Sequence, residues 1–485
     1  MISKKCMYLL AMLASVHLGF GQVLQLHPKN PHYLSFKGKP LLLVTSAEPY
    51  GAVINKDFDY KLYLKTLHDE GMNYTRIFSG SYIEVPGSFN VAHCSLIPET
   101  GSFLAPWQRV ADPGLFDGEG KFDFEKWEPE YFERLYDFVQ TAASYDIIIE
   151  MTFFCATYDN AYWLRHPFND QNNINGLEPS KRLEFNTLKN DDVVHYQKKL
   201  IERITQELNG FDNIFFEISN EPWSDYQQKT TYLHKTLIPE EKYQWVLWAR
   251  TAPEETLAWQ KELAAVFRNT ENKLPKRHLL AQNYADMFER IIEVGDIDIL
   301  NFHYAWPEVT TANYGWNRPI NFDESGFAGT ADSTYLKQGW TFMLNGGAIF
   351  NNLDYSFYVG KEDGTGINKA PGGGGTDLRK QLKFLREFLE SFDFVKMRPS
   401  AHLIAHAPGL EYYCLANVGQ EYALYFDGRN QGHAVLNLPE GTYEVCIFSP
   451  DHGILLDSYP LKSSGGETRI KMPKLIRVAV SVVRQ

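Results

Sequence analysis

Asn220-Glu221-Pro222 closes an apolar run, Ile214 to Ile218, and a second carboxylate, Glu324, closes another strand-like run, Ile320-Asn321-Phe322-Asp323. Two acids placed at strand ends could cleave an acetal. One protonates the departing oxygen, and the other attacks or stabilises the sugar carbon of an oxocarbenium-like state. In a barrel of parallel strands the reactive groups gather on the C-terminal rim, so acids distant in sequence converge on one pocket. For either acid alone the rival reading is a helix cap, because exposed amides and the helix dipole favour Asp and Glu there.

Such acids need a scaffold, and the chain alternates strand and helix patterns. Strands are expected at Leu41 to Ser46, Tyr74 to Phe78, Ile147 to Phe154, Ile214 to Ser219, His278 to Gln282, Ile299 to Tyr304, Ile320 to Asp323 and Ala348 to Leu353. Helices are expected at Phe58 to Asp69, Pro129 to Ser144, Asp192 to Leu208, Pro253 to Arg268 and Asp377 to Phe392. Eight units of this kind imply an α/β fold, a (β/α)8 barrel over residues 22–395, with long segments after strands two, three, four and eight on the active rim. The Gly-rich segment Gly360 to Gly375 cannot be regular structure and is expected to fold over the eighth strand's rim. From 396 to 485 short alternating runs and Asp427-Gly428 and Glu440-Gly441 turns imply a small all-β sandwich, packed on the barrel through Phe384 and Phe388. The alternative for this tail is sugar binding on Tyr412, Tyr413, Tyr422 and Tyr425.

Composition limits the partners. The 485 residues carry a net charge of -13 with no Lys/Arg-rich block, which argues against nucleic acid and anionic membrane. Aromatic residues make up 14% of the chain, and sugar rings stack on aromatic faces, so a carbohydrate is the expected partner. Residues 1–21 read as a signal peptide, with Lys4 and Lys5 ahead of the apolar stretch Tyr8 to Val16, which implies export to the periplasm or outside the cell; no other run could span a bilayer. Cys94, Cys155, Cys414 and Cys446 are too few for a disulfide framework, and free buried thiols are equally compatible. No Cys/His cluster has metal-ligand spacing, so neither metal nor organic cofactor is expected in the chemistry.

The stretch Phe216-Glu217-Ile218-Ser219-Asn220-Glu221-Pro222-Trp223 resembles the fourth-strand signature of clan A glycoside hydrolases, the cellulase-like, family 5-type barrels. Phe302-His303-Tyr304 resembles that clan's sixth strand and Phe322-Asp323-Glu324-Ser325-Gly326 its seventh. The tail and the Asn351 to Gly366 region resemble a bacterial branch whose terminal sandwich is often described as collagen-binding. The resemblance implies a retaining glycoside hydrolase, with Glu221 as acid/base, Glu324 as nucleophile, Asn220 on the sugar 2-hydroxyl and Arg76 beside the nucleophile. Many clan members end the eighth strand with a sugar-stacking Trp, whereas here Asn352-Leu353-Asp354-Tyr355 stands there, which leaves the sugar open.

Each role carries a physical requirement. An acid at Glu221 needs a raised pKa, and a nucleophile at Glu324 must stay ionised, helped by Arg76 and Tyr304. Asp323 is the rival nucleophile, since adjacent strand residues face opposite ways and only one can enter the site. His303 could orient either acid, and a turn-forming Asn is the rival for Asn220. Trp163, Trp223, Trp306, Tyr82 and Asp354 are candidate substrate walls, while Glu362 and Asp363 read as a solvated loop. The competing functions are a non-catalytic sugar-binding barrel and a protease or collagen-binding protein; no His-Glu-x-x-His pair or Gly-x-Ser-x-Gly elbow supports a protease.

Overall fold

The computed structural model describes residues 23–112, 119–177, 181–225, 229–232, 248–286, 290–291, 293–429 and 431–485. The segment read as a signal peptide lies outside them. Eight strands, Leu43–Ser46, Tyr74–Phe78, Ile148–Cys155, Ile214–Asn220, Leu280–Asp286, Ile299–His303, Ile320–Glu324 and Ile349–Asn352, form one parallel sheet in the order 1-8-7-6-5-4-3-2. The first and second strands meet across the remaining seam, so the sheet closes into a (β/α)8 barrel. Its strands are covered on both faces, which is why they read as continuous apolar runs; Ile148–Cys155 is buried at every position.

Helices Tyr60–Asp69, Pro129–Ser144, Asp191–Leu208, Glu254–Glu271, Asp332–Leu344 and Thr376–Glu390 surround the sheet, with a short helix at Glu308–Asn313. Their starts follow local chemistry. Asp59 accepts from the Lys61 and Leu62 amides, and Asn190 Oδ1 accepts from Val193 N at 3.1 Å. The Asp332–Leu344 helix was not anticipated because it lacks a single apolar face: Tyr335, Leu336, Trp340, Phe342, Met343 and Leu344 are all buried. The aromatic loop after the second strand contains an unanticipated hairpin, Trp107–Val110 with Lys121–Trp127. The Gly-rich segment follows the eighth strand without helix or strand, as anticipated. Gly375 N donates to Asp354 Oδ2 at 2.9 Å, and a Cβ on Gly374 would lie 2.1 Å from Asp354 Oδ1, so a side chain at 374 would displace that carboxylate.

The tail is all β. Arg398–Pro399, Leu410–Asn417, Glu421–Gly428, Arg477–Arg484, Gly441–Ser449 and Ile454–Ser463 form one antiparallel sheet, and Ile404–His406, His433–Leu438 and Gly466–Lys471 form a second. Cys414, Leu424, Leu436, Val445, Ile470 and Val480 fill the space between them. Alternation sends Tyr413, Leu415, Ala423 and Tyr425 the other way, into the apolar cluster of the barrel. Tyr425 stacks on Trp340 at 5.3 Å, and Phe448 meets Phe384 and Phe388 at 5.8 and 5.7 Å. The four tyrosines do not form an open platform: Tyr425 lies under Trp340, and Tyr422 is buried in the sandwich with its hydroxyl accepting from Gly419 N. All four described cysteines are free.

Trp340→Ala is expected to lower stability by about 3–5 kcal/mol, the usual cost of deleting a buried aromatic. A chain ended at residue 396 is expected to aggregate, because it uncovers Trp340, Phe384 and Phe388. Thermal unfolding checks both, and a soluble truncated barrel with unchanged Tm would refute the shared-core reading.

Candidate active site

Arg76, 0% exposed, crosses the barrel interior from the second strand. Its Nη2 pairs with Glu217, its Nε donates to Thr152 Oγ1 at 3.0 Å, and Asp323 and Glu324 each lie 3.5 Å from a guanidinium nitrogen. The Tyr50 and Phe78 rings lie against the guanidinium, with centroids at 5.1 and 5.3 Å. Asn301 Nδ2 faces Glu150, Glu217 and Asp323 at 2.7, 2.8 and 3.2 Å. Burial and mutual repulsion push Glu150 well above the usual carboxylate range, and burial raises Glu217 despite Arg76.

Above this layer sit the two strand-end acids. Glu221 Oε1 lies 2.9 Å from His303 Nδ1, and its Oε2 accepts from Tyr158 Oη at 3.0 Å and Ser224 Oγ at 3.1 Å. Glu324 Oε1 accepts from Tyr304 Oη at 2.8 Å, and its Oε2 accepts from Tyr50 Oη at 3.3 Å. One oxygen of each acid and a ring nitrogen of His303 all lie within 4.8 Å of one another. Neither acid caps a helix among the described residues.

The proton distribution in this site differs from the expectation. Burial acts to raise Glu221, but the hydrogen bond and charge of His303, with Arg250 and Tyr158 in support, outweigh it and bring Glu221 down to about 2. At Glu324 burial wins, with the Glu221 charge adding to it, and raises that acid to about 7. His303 resists burial because Asp323 and Glu324 hold its imidazolium well above the ordinary range. Two buried carboxylates this close do not both ionise easily, so the pair holds one shared proton, and His303 biases it toward Glu324.

Asp323 and Glu324 both face inward, contrary to simple alternation. The register shifts between Phe302 and His303, so that Phe302 pairs with Phe322 but His303 with Glu324, and the strand end rotates both acids to the interior. Asp323 reaches Asn301 and His303 in the lower layer, whereas Glu324 reaches the rim cavity.

That cavity is lined by Asn220, Glu221, Tyr304, Glu324 and Tyr82 among others. Asn220 Nδ2 donates to Tyr158 Oη at 2.9 Å, and its Oδ1 has no partner among the described residues. Five lining residues have left-handed backbones: Phe89 (φ 54°), Tyr158 (51°), Glu221 (44°), Tyr304 (48°) and Phe327 (57°). For bulky side chains this conformation is strained.

Other candidates lie elsewhere. Asp354 does not line the cavity; it is fully buried, 2.6 Å from Arg379 Nη1 and 2.9 Å from Ser46 Oγ. Trp223 lies behind the site, its ring edge-on to His303 at 5.6 Å. Trp306 is half-buried outside the cavity lining, and Trp163 packs on His166 and Phe185. Glu362 is not a solvated residue: it is buried and accepts from the Asp59 and Gly360 amides, while Asp363 folds onto Thr365. Sequence reasoning missed Tyr50, Tyr158, Glu48 and Glu84; the signal available for the lower layer was a charged residue inside an apolar strand, as at Glu150 and Glu217.

Among the described residues two groups bring three ligand atoms together, Glu221-His303-Glu324 and Glu150-Glu217-Asp323. In the second, the Arg76 guanidinium and Asn301 amide already stand among the carboxylates. The first can supply one nitrogen and two oxygens to a cation, or a proton donor and a nucleophile to an acetal.

No family model matches the chain, and no curated protein matches it by sequence. It is similar in structure to a Bacteroides vulgatus protein provisionally named a glycoside hydrolase, at 14% identity and TM-score 0.66, over 96% of this chain and 83% of that one. A glycoside hydrolase family 5 protein from the same organism gives 13% identity and TM-score 0.59, over 95% and 93%. A further glycoside hydrolase gives 12% identity and TM-score 0.60, over 96% and 97%. These likenesses agree on the barrel with its β tail.

Arg76→Leu is expected to lower stability by about 3–5 kcal/mol, because it strands Glu217 and Asp323 without a cation. Adding Glu217→Gln should recover part of the loss in denaturant unfolding; strict additivity of the two changes would show that no such coupling exists.

Proposed function

We propose that the chain is a retaining glycoside hydrolase in which Glu324 is the nucleophile and Glu221 the general acid/base. The observation that carries this is the pair itself: two carboxyl groups with oxygens within 4.8 Å at the ends of the fourth and seventh strands. That spacing suits direct attack by one acid; inverting enzymes separate theirs by roughly 6.5–9.5 Å to admit water. The family 5 neighbour and the other structures named as glycoside hydrolases support the same class.

In this mechanism Glu324 attacks the anomeric carbon while the glycosidic C–O bond breaks, and the departing oxygen takes the proton from Glu221. Glu221 then removes a proton from water, whose oxygen displaces Glu324 from the glycosyl ester. Tyr304 and Arg76 favour the ionised nucleophile. His303 lowers Glu221 while burial raises Glu324, so the first step requires a proton to pass from the Glu324 side to Glu221. His303 Nδ1 lies 2.9 Å from Glu221 and 3.7 Å from Glu324, within reach of both, and is the natural relay.

Glu324→Ala should abolish turnover of nitrophenyl glycosides. Glu221→Ala should slow poor leaving groups by about 10²–10⁴-fold and good ones far less, because good ones need no proton; equal losses on both would overturn the assignment. Ligand binding without turnover by the intact protein would instead identify a non-catalytic sugar-binding barrel.

The pH dependence follows from the shared proton. The pair is singly protonated between about 2 and about 7, so kcat/KM should fall as pH rises through about 7, where both acids ionise and no general acid remains. In Glu221→Gln with a dinitrophenyl glycoside the sign should reverse: only Glu324 must ionise, and the rate should rise through its pKa. A profile unchanged by the substitution would contradict the shared-proton scheme.

A further inference from the structure

Two buried acids in the cavity take no part in the scheme above. Glu48 follows the first strand and is 2% exposed; Glu84 lies in the loop after the second strand and is 8% exposed. Neither makes an ion pair among the described residues, and no Lys or Arg lines the cavity. The Cys94 thiol stands between them, with its Sγ 3.5 Å from Glu48 Oε1 and also bonded to the Glu84 carboxyl. Among the described residues, three buried polar atoms of cavity-lining residues have no hydrogen-bond partner: Glu48 Oε2, Tyr82 Oη and Asn220 Oδ1. Buried polar groups without partners are costly, and these three belong to residues that line one cavity.

Taking the glycosidase reading as its basis, we propose that Glu48 and Glu84, with Tyr82, form a specificity-determining subsite that binds hydroxyl groups of an uncharged glycone at the edge remote from the bond being broken. Asn220, Glu221 and Glu324 surround the reacting centre from strands four and seven, whereas Glu48 and Glu84 reach in from the side of strands one and two. Burial raises both acids, Glu84 to about 8, which favours their protonated forms. A protonated carboxyl donates and accepts, as a sugar hydroxyl does, whereas an ammonium-bearing sugar would require ionised partners.

The test uses nitrophenyl glycosides, their deoxy analogues and binding calorimetry of glucose, mannose, galactose and xylose to the Glu324→Ala protein. Glu48→Ala and Glu84→Ala should each raise KM, or the Kd of the bound monosaccharide, about tenfold, with kcat changed less than about threefold. The Gln variants, which keep a donor and an acceptor, should stay within about threefold of the parent. Removing the contacted hydroxyl should cost the parent protein affinity but cost the Ala variant nothing further. Because neither acid makes an ion pair among the described residues, the ligand-free Tm should change little in these variants; a purely structural role would lower it. The proposal is overturned if parent and deoxy substrates lose equally in the Ala variants, if Gln is as damaging as Ala, or if an amino sugar is preferred over its hydroxyl counterpart. If no glycoside is hydrolysed but monosaccharide binding still depends on Glu48 and Glu84, the hydrolase reading fails and the subsite stands.

Discussion

A guanidinium with no exposed surface must be surrounded by acids, and in this barrel Arg76 meets that requirement with Glu217, Asp323 and Glu324. The acids come from the fourth and seventh strands, and Thr152 from the third braces the same guanidinium and Glu217. One cation thus ties together strands from much of the barrel circumference. The carboxylates outnumber it; the Asn301 amide faces three of them, and burial pushes Glu150 toward its neutral form. The rim acids inherit this setting: whatever charge Arg76 and His303 leave uncompensated decides where the proton on Glu221 and Glu324 resides.

The barrel was largely legible in the sequence because its strands are covered on both faces and its helices on one. Tyr74–Phe78 and Pro129–Ser144 fall where the pattern put them, and the other expected barrel elements differ mainly at their ends. Glu221 and Glu324 were legible because strand ends of a barrel share one rim. What escaped depends on closure. Glu150 and Glu217 sit inside apolar strands, and nothing local says that Arg76 and Asn301 await them. Asp354 was misplaced for the same reason: its neighbours along the chain suggest a rim residue, but its partner Arg379 arrives from the next helix. Tyr50, Tyr158, Glu48 and Glu84 lie outside regular elements, where no periodicity fixes the direction of a side chain.

The register shift beside His303 has an importance out of proportion to its size. With perfect alternation, one of Asp323 and Glu324 would point at the surrounding helices. The shift turns both inward at different depths, so the seventh strand serves two tiers at once: Asp323 joins the charge layer and Glu324 the cavity. His303 touches both tiers, which makes it the channel through which a change below would be felt by the acids above.

The left-handed backbones of Phe89, Tyr158, Glu221, Tyr304 and Phe327 set durability against activity. Each such residue costs on the order of 1–3 kcal/mol, against a typical net folding stability of roughly 5–15 kcal/mol. The rim therefore persists only because the sheet and its helices overdetermine it. Glycine or asparagine at these positions would ease the backbone, and selection for robustness alone would favour them. The cavity walls occupy positions where sequence drift would harden the protein while changing the shape of the cavity, so the margin left in the core limits how far the walls can be remodelled.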